Sequence, residues 1–368
     1  MNKASYIYID DFADNSVMAI KDGLGDTETI NVDFFQVSEF KNMISEFEGK
    51  YKKYDGVILD LRLDGNAEID VKFTASGLAQ ELRNRSAADE GIKDVPIILC
   101  STDKKIREYY NRDHTSHDLF DYRFVKDASP NWEKIASKLQ SLANGYEEIK
   151  KCKGNLNEIL GRDIKPIDSR VLGKFIDKDS DFPIHEYSQH FLKEVIRKPG
   201  PLIQKKLFAA RLGIDIVNSS DWSNLLDKFF CDEKYKGVFS DSWDRWWMDL
   251  IQIKFKSLTG KRLASLNAEQ KVQLLITATK LKNLIAAKPI QKSVSTNFWT
   301  ICEHFKKPLD PLEGFKIHYT KEPKPWQDQM YLSFEAASER LGLKDGLKVY
   351  SDEIERLELA KQAYRNKK

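Results

Sequence analysis

Residues 56–60 read Gly-Val-Ile-Leu-Asp, a short apolar run that ends on a carboxylate, and this run decides the fold class. Three further apolar runs within the first 145 residues also end on polar side chains. Continuous apolar runs of this length are typical of parallel strands that are buried on both faces of a sheet. The three runs are Ser5–Ile9 before Asp10 and Asp11, Val95–Cys100 before Ser101, and Tyr122–Val125 before Lys126.

A fifth predicted strand, Thr29–Val37, lies between the first of these runs and residues 56–60. Helical patterns alternate with the strands, and Ser38 is a candidate cap for the second helix. Single helices between strands imply parallel pairing through right-handed crossovers. We therefore predict an α/β fold over residues 1–145, with a five-stranded doubly wound parallel sheet. The predicted helices cover residues 14–21, 38–47, 75–83 and 132–142.

The polar residues at the strand ends predict one functional site, because ligands of open parallel sheets bind beyond the carboxyl ends of the strands. Asp10, Asp11 and Asp60 would repel one another there without a divalent cation, and clustered oxygen ligands suit Mg²⁺. A hydroxyl and an ammonium beside them, from Ser101 and Lys126, could hold an anionic phosphoryl oxygen. The residues therefore predict a metal-assisted phosphoryl acceptor with Asp60 as the nucleophile.

These motifs resemble the receiver domain of two-component response regulators, over residues 1–145. The resemblance implies a flavodoxin-like fold, Mg²⁺ bound by Asp10 and Asp11 with Asp60, and phosphoryl transfer from a histidine kinase to Asp60. It also implies that Ser101 and Lys126 contact the phosphoryl group, and that the domain catalyses only its own phosphorylation and dephosphorylation. The stretches that carry the resemblance are Tyr8–Asp11, Val57–Leu61, Pro96–Ser101 and Phe124–Lys126.

Three positions depart from the pattern of that family. Asp64 and Asp127 stand where proline is usual, and Arg123 stands where an aromatic residue is usual. The extra carboxylate of Asp64 is expected to weaken phosphorylation or alter metal binding. A cis bond before Asp127 would cost about 3 kcal/mol without proline, so that loop is expected to differ in shape. The alternative interpretation is a degenerate receiver that is retained for protein contacts.

The rest of the chain is predicted to hold a connector over residues 146–168 and a mostly α-helical output or partner-binding domain over residues 169–368. Pro199-Gly200-Pro201 interrupts the helical pattern. Gly213 is a candidate helix stop, and Ser219 or Ser220 is a candidate helix cap. The predicted helices cover residues 187–197, 202–212, 222–230, 242–258, 268–287, 330–341 and 351–364.

One motif in this part suggests binding to DNA. Residues 207–215 resemble the first helix and turn of a helix-turn-helix, and the surrounding charge is basic. However, Asp215, Asp221 and Asp227 lie where a DNA-reading helix is expected to be basic. Nucleic acid is therefore the least favoured partner.

Two other motifs carry weaker functional signals. Trp243, Trp246 and Trp247 share one face at helical spacing, which indicates a buried aromatic core or, alternatively, a hot spot for a protein partner. Cys302-Glu303-His304 supplies one pair of zinc-ligand types, whereas zinc sites usually show two such pairs. A zinc site is therefore not predicted there.

Length and composition exclude several classes of protein. The 368 residues, of which 41% are hydrophobic, suit about two domains and exclude a wholly disordered chain. Their apolar runs are far shorter than the about 20 residues of a membrane-spanning helix, and four scattered cysteines favour a reducing cytoplasm. Residues 1–145 carry a net charge of −7 and the remainder a net charge of +9, which suggests two units with different partners.

Three hypotheses for function follow. The first is a signalling protein whose helical domain changes its protein contacts when a histidine kinase phosphorylates Asp60. The second is a phosphate sink that buffers a separate effector, and the third is a DNA-binding transcription regulator. The combination of a receiver with an unfamiliar helical domain resembles components of two-component phage-defence systems of the Detocs kind. The sequence leaves open whether the protein forms a homodimer and whether phosphorylation activates or represses it.

Overall fold

A computed structural model of the protein describes residues 3–66, 68, 71–105, 118–126, 130–177, 182–319 and 321–366. The chain divides into two compact units. The first unit is Met1–Glu194 with Lys236–Trp243, and the second is Val195–Tyr235 with Asp244–Lys368. Residues 145 and 146 lie within one continuous helix, Trp132–Cys152.

The sheet of the first unit has five strands, and every neighbouring pair runs parallel. Helices connect the strands and flank the sheet, which confirms the predicted doubly wound α/β fold. The strands are β1 Ala4–Asp10, β2 Ile30–Gln36, β3 Gly56–Asp60, β4 Ile97–Ser101 and β5 Tyr122–Val125. Their order across the sheet is β2-β1-β3-β4-β5.

The helices that flank this sheet are α1 Asn15–Gly25, α2 Phe40–Glu48, α3 Ala75–Ala87, the single turn α4 Asp103–Lys105, and α5 Trp132–Cys152. Met43 of α2 and Leu78 of α3 share a buried cluster with Val57 of β3, so these helices cover one face. Tyr6 donates a hydrogen bond of 2.7 Å to the carbonyl of Leu139, which places α5 on the other face. Asp14 caps α1, whereas α2 starts after Glu39 and Ser38 does not cap it.

Short helices complete the first unit after α5. They are α6 Leu156–Leu160, α7 Ser169–Leu172 followed by a 3-10 turn at Gly173–Ile176, and α8 Ile184–Ser188, which continues as a π-helix over Gln189–Ile196. A further 3-10 turn, Lys50–Lys53, precedes β3. Residues Lys236–Trp243 rejoin this unit and pack on α5, where Gly145 leaves space for Phe239.

The second unit is largely helical. Three two-stranded antiparallel pairs accompany its helices, and no helix of the described chain is long and apolar enough to cross a membrane. In chain order the elements are β6 Leu202–Ile203, α9 Lys205–Leu212, α10 Trp222–Phe229, β7 Trp246–Trp247, α11 Met248–Thr259, 3-10 turn Leu263–Ser265, α12 Ala268–Thr279, β8 Thr300–Ile301, β9 Pro308–Leu309, β10 Phe315–Lys316, β11 Tyr331–Leu332, α13 Phe334–Ser338, 3-10 turns Leu341–Asp345 and Ser351–Glu353, and α14 Ile354–Asn366.

Besides the helix near residue 213, three helix predictions for this unit were too long. The helix predicted over residues 330–341 shortens to α13, Phe334–Ser338, because Tyr331–Leu332 forms a strand. The helix predicted over residues 242–258 begins only at Met248, because Trp246–Trp247 pairs with β6 as a strand. The helix predicted over residues 268–287 ends at Thr279, because Lys280 adopts a left-handed conformation with φ of 63°. The tryptophans are buried as predicted, although they do not share a helical face.

The predicted helix ends near residue 213 had mixed outcomes. Gly213 ends α9 with a φ of 72°, which confirms the predicted stop, although residues 202 and 203 form a strand and α9 starts only at Lys205. The cap predicted at Ser219 or Ser220 is wrong, because Asp221 precedes α10 and no side chain caps it. The buried hydroxyl of Ser219 instead accepts a hydrogen bond from the backbone of Ile285.

Candidate functional site

Three buried carboxylates meet at the carboxyl end of the sheet. Asp10 ends β1, Asp11 follows it, and Asp60 ends β3. Ile9 pairs with Leu59 across these strands, and the parallel register therefore sets Asp10 beside Asp60. One carboxylate oxygen from each residue lies within 4.8 Å of the others.

Asp10 uses both of its carboxylate oxygens as hydrogen-bond acceptors. Oδ2 accepts from the Tyr8 hydroxyl at 2.6 Å and from Lys126 Nζ at 2.7 Å. Oδ1 accepts from the backbone N–H of Phe12 at 3.2 Å. Tyr8 was not anticipated from the sequence, because a tyrosine inside a buried strand gives no local signal of a role at the strand end.

Asp60 lies between two lysines. Its Oδ1 is 2.8 Å from Lys126 Nζ, without hydrogen-bond geometry, and its Oδ2 is 3.8 Å from Lys105 Nζ. Oδ2 also accepts a hydrogen bond of 2.9 Å from the backbone N–H of Arg62. The Asp60 side chain is only 2% exposed, whereas those of Lys126 and Lys105 are 18% and 40% exposed. Lys105 was also missed from the sequence, because it follows β4 rather than ending it.

Burial and the neighbouring charges together set the charge state of these groups. For Lys126, burial disfavours the ammonium, but the carboxylates of Asp60 and Asp10 outweigh it and raise its pKa above the ordinary value. The side chain therefore stays charged. Burial and the neighbouring Asp10 raise the pKa of Asp11 to about 6. Asp11 is thus the carboxylate at this end whose negative charge is least offset by hydrogen bonds and cations.

Three buried polar atoms at this end lack a hydrogen-bond partner within the described part of the chain. They are Asp11 Oδ2, Asp60 Oδ1 and Ser101 Oγ. Buried polar atoms are normally hydrogen-bonded, so such a group of orphans indicates a site for a ligand. Two carboxylate oxygens suit a hard cation such as Mg²⁺, and the serine hydroxyl suits an anionic oxygen.

The loop after β3 also contacts the carboxylates. Asn66 donates a hydrogen bond of 3.0 Å to the carbonyl of Asp11. A Cβ at Gly65 would lie 2.7 Å from Asp11 Oδ2, so a larger residue at this position would displace that carboxylate. Asp64 pairs with Arg62, with Nε 2.6 Å from Oδ1, and its charge is therefore compensated inside the loop.

The other two departures from the receiver pattern lie on either side of Lys126. Arg123 is an exposed residue of β5. Asp127 lies outside the described residues, and no cis peptide bond occurs within them.

The other motifs singled out in the sequence lie in the second unit. All residues of α9 from Leu207 to Leu212 are buried in the second unit, so this helix belongs to its core. Cys302 is buried and accepts from the backbone N–H of Ser333, and His304 lies 3.3 Å from Asp345. Within the described ranges, the Asp10, Asp11 and Asp60 cluster is the one group that could hold a metal ion.

Comparisons with known proteins give structural likeness alone. No family model matches the chain, and no curated protein matches it. Among solved structures, the receiver domain of the putative response regulator NarL from Mycobacterium tuberculosis matches 39% of this chain and 99% of its own, with 14% identity and a TM-score of 0.29. Response regulator RPA3017 of R. palustris matches 38% of this chain and 90% of its own, with 19% identity and a TM-score of 0.25. Response regulator RcsB of Salmonella typhimurium matches 51% of this chain and 98% of its own, with 15% identity and a TM-score of 0.25.

Proposed function

We propose that this protein acts in two-component signalling by accepting a phosphoryl group on Asp60 from a histidine kinase. The observation that carries the proposal is the set of orphaned atoms beside Lys126. A buried nucleophile, a charged lysine, a free hydroxyl and two further carboxylates converge at one end of a parallel sheet. Buried polar atoms with a purely structural role are normally hydrogen-bonded within the protein, whereas three at this end have no hydrogen-bond partner in the part of the chain that the structure describes.

In the proposed reaction, a carboxylate oxygen of Asp60 attacks the phosphorus of phosphohistidine. The new O–P bond forms as the P–N bond breaks, and the imidazole nitrogen leaves with the electron pair and takes up a proton. Lys126 Nζ, already 2.8 Å from Asp60, compensates charge on the transferred group, and Ser101 Oγ donates to one of its oxygens. Attack of water on phosphorus returns the Asp60 carboxylate and releases phosphate.

The residues fit a magnesium ion at this site. Asp10, Asp11 and Asp60 would hold it, because Asp11 Oδ2 and Asp60 Oδ1 are buried without hydrogen-bond partners. When bound, Mg²⁺ supplies the positive charge that draws a phosphoryl anion toward three carboxylates. Asp10 orients the site through its bonds to Tyr8 and Lys126.

The test is intact-mass spectrometry of the full chain after incubation with acetyl phosphate and Mg²⁺. We expect a gain of one phosphoryl group in the wild type and none in Asp60→Ala. Asp64→Asn, which removes a partly exposed carboxylate four residues away, is the matched control and keeps the gain. No gain in the wild type, with acetyl phosphate and with a cognate kinase, would sink the proposal and favour a degenerate receiver.

For the second unit we propose a role in protein contacts that depend on phosphorylation, in the cytoplasm and with a protein partner or effector. We do not favour a DNA-binding role, because the helix that follows α9, α10, exposes the acidic Asp227 where a DNA-reading helix is expected to be basic. A phosphate sink, as part of a phage-defence system of the Detocs kind, is the second candidate. Pull-down with and without acetyl phosphate separates the two, because a sink keeps the same partners in both states.

A further inference from the structure

We propose that Lys105 is a second phosphoryl-binding cation, which recruits the anionic donor to Asp60. The inference rests on the proposed function and adds a donor-binding residue to it. Lys105 Nζ lies 3.8 Å from Asp60 Oδ2, on the oxygen opposite the one that faces Lys126. A phosphoryl group on either oxygen of Asp60 therefore has a lysine within reach.

The charges at this end explain why a second cation is needed. Among the described residues at this end, Asp10, Asp11 and Asp60 face one half-buried lysine, Lys126, so a donor anion meets net negative charge from these groups. Lys105 reduces that net charge from about −2 to about −1 before any metal binds. Like charges a few ångströms apart repel strongly at low dielectric, so the carboxylates repel a donor anion. One additional cation weakens this repulsion and raises the local concentration of the donor.

Because Lys105 is more exposed than Lys126, it is placed to recruit the donor anion from solvent. Its side chain is 40% exposed, compared with 18% for Lys126, and it carries the charge on the solvent side of the buried acceptor. Its position is set by β4, which ends at Ser101, and by the turn α4, in which the Lys105 N–H lies 3.4 Å from Thr102 Oγ1. Lys104 precedes it in the same turn, is exposed and carries the same charge.

Phosphoryl transfer to Asp60 needs no reagent besides the phosphodonor. With acetyl phosphate, an Asp60 oxygen attacks phosphorus, the O–P bond to Asp60 forms, and the P–O bond to the acetyl group breaks. Acetate leaves with the electron pair, and no proton is transferred. Lys105 binds the phosphoryl oxygens throughout and is not consumed.

The experiment compares Lys105→Met with Lys104→Met in the full chain, with acetyl phosphate and Mg²⁺, by the rate of mass gain at Asp60. We expect Lys105→Met to lower the second-order rate constant about three- to tenfold at low salt, and Lys104→Met to change it less than about twofold. The loss in Lys105→Met should shrink at 0.5 M salt, where exposed charges are screened within about 4 Å. Lys105→Arg should restore most of the rate.

The outcomes separate this inference from the proposed function. If the wild type gains no phosphoryl group, the proposed function fails. If the wild type gains one and Lys105→Met matches Lys104→Met at low salt, the function stands and the role of Lys105 is refuted. A loss in Lys105→Met that does not change with salt, with no rescue by arginine, would also refute recruitment, because it indicates a structural defect.

Discussion

The two ends of the sheet in the first unit both bury charged side chains, but they differ in how those charges are partnered. At the amino end, Arg83 donates to Asp94 at 2.8 Å and to Asp121 at 2.7 Å. The other Asp121 oxygen accepts from Tyr146 and Ser188. At the carboxyl end, Asp11 Oδ2 and Asp60 Oδ1 have no hydrogen-bond partner among the described residues, although Asp60 Oδ1 lies 2.8 Å from Lys126 Nζ.

The remaining contacts of the amino end complete its network. Asp94 Oδ2 accepts from both the backbone N–H and Nδ1 of His185 at 2.9 Å. All four oxygens of Asp94 and Asp121 therefore accept hydrogen bonds, and of these charged groups only Arg83 Nε has no partner. A network closed on itself fixes the packing of α3, α5 and α8, whereas the open cluster at the other end is arranged for a ligand. Burial of charge alone does not mark a functional site, and the distribution of unsatisfied atoms does.

We expect the largest loss of stability when the cation of the closed network is removed. Arg83→Met leaves Asp94 and Asp121 buried without their cation, and we expect a loss of about 3–5 kcal/mol in the free energy of unfolding. Denaturant unfolding of the full chain measures it. Arg85→Met, two residues later on α3 and 31% exposed in its ion pairs, should change the free energy of unfolding far less, because surface ion pairs contribute little to stability. Equal losses in the two variants would contradict the contrast between a buried network and surface pairs.

A buried lysine in the second unit, Lys271, extends the comparison, because its ammonium has a hydrogen bond but no carboxylate partner. Lys271 is 1% exposed, and its ammonium donates to the carbonyl of Phe298 at 3.3 Å. Burial, with the charge of Arg211, lowers the pKa of Lys271 to about 8. Between pH 8 and the ordinary lysine value near 10.4, the unfolded chain binds more protons than the folded chain, so stability rises with pH.

Lys271→Met should therefore stabilise the second unit at pH 7, by about 2 kcal/mol, because the folded protein no longer holds an ammonium buried without a carboxylate partner. The gain should shrink toward pH 10, where the wild type has lost that charge. Thermal unfolding at both pH values measures it, with the exposed Lys282→Met as control. A destabilised variant at pH 7 would show that the bond to Phe298 outweighs the cost of burying the charge.

The carboxyl end should respond in the opposite direction to the amino end. Without metal, Asp11→Asn removes one of three mutually repelling carboxylates, and we expect a gain of about 1 kcal/mol in the free energy of unfolding. Magnesium should stabilise the wild type by linkage and leave this variant nearly unchanged. Titration of Mg²⁺ against the thermal midpoint measures both effects.

The control for this prediction is Asp22→Asn on α1, where the carboxylate is 59% exposed. It should keep the wild-type response to Mg²⁺. A metal-free loss of stability in Asp11→Asn would mean that this carboxylate is a structural acceptor, as Asp94 and Asp121 are, and the contrast between the two ends would fail.

The two ends of the sheet also differ in how well the sequence predicts their side-chain clusters. The open cluster was predictable, because each of Asp10, Asp60, Ser101 and Lys126 ends or follows a short apolar run, and parallel strands bring such ends together. The closed network was not predictable, because its partners are brought together by tertiary packing. His185 and Asp94 are 91 residues apart, and neither belongs to a local pattern.

Errors in the second unit have the same origin. Helical spacing of Trp243, Trp246 and Trp247 was a correct sign of burial and an incorrect sign of a helix. Pairing with Leu202–Ile203, more than forty residues earlier, decides the strand at Trp246–Trp247. Tertiary contacts override local periodicity where an apolar run is short, whereas four of the five strands in the first unit were recognisable because each apolar run ends on a polar side chain.

The smallest effect is expected at Asp64, on the rim of the open cluster. The sequence suggested that this carboxylate weakens phosphorylation, whereas the structure pairs it with Arg62 at 2.6 Å and leaves it 27% exposed. A partly exposed charge with its own cation contributes little to the field at Asp60, since such pairs are worth about 0–1 kcal/mol. We expect Asp64→Asn to change the rate of phosphoryl gain less than about twofold and the free energy of unfolding by less than about 0.5 kcal/mol. A rate increase of tenfold would place Asp64 inside the open cluster as a fourth repelling carboxylate, and Arg62→Met should then lower the rate by a similar factor, because that substitution frees the same charge.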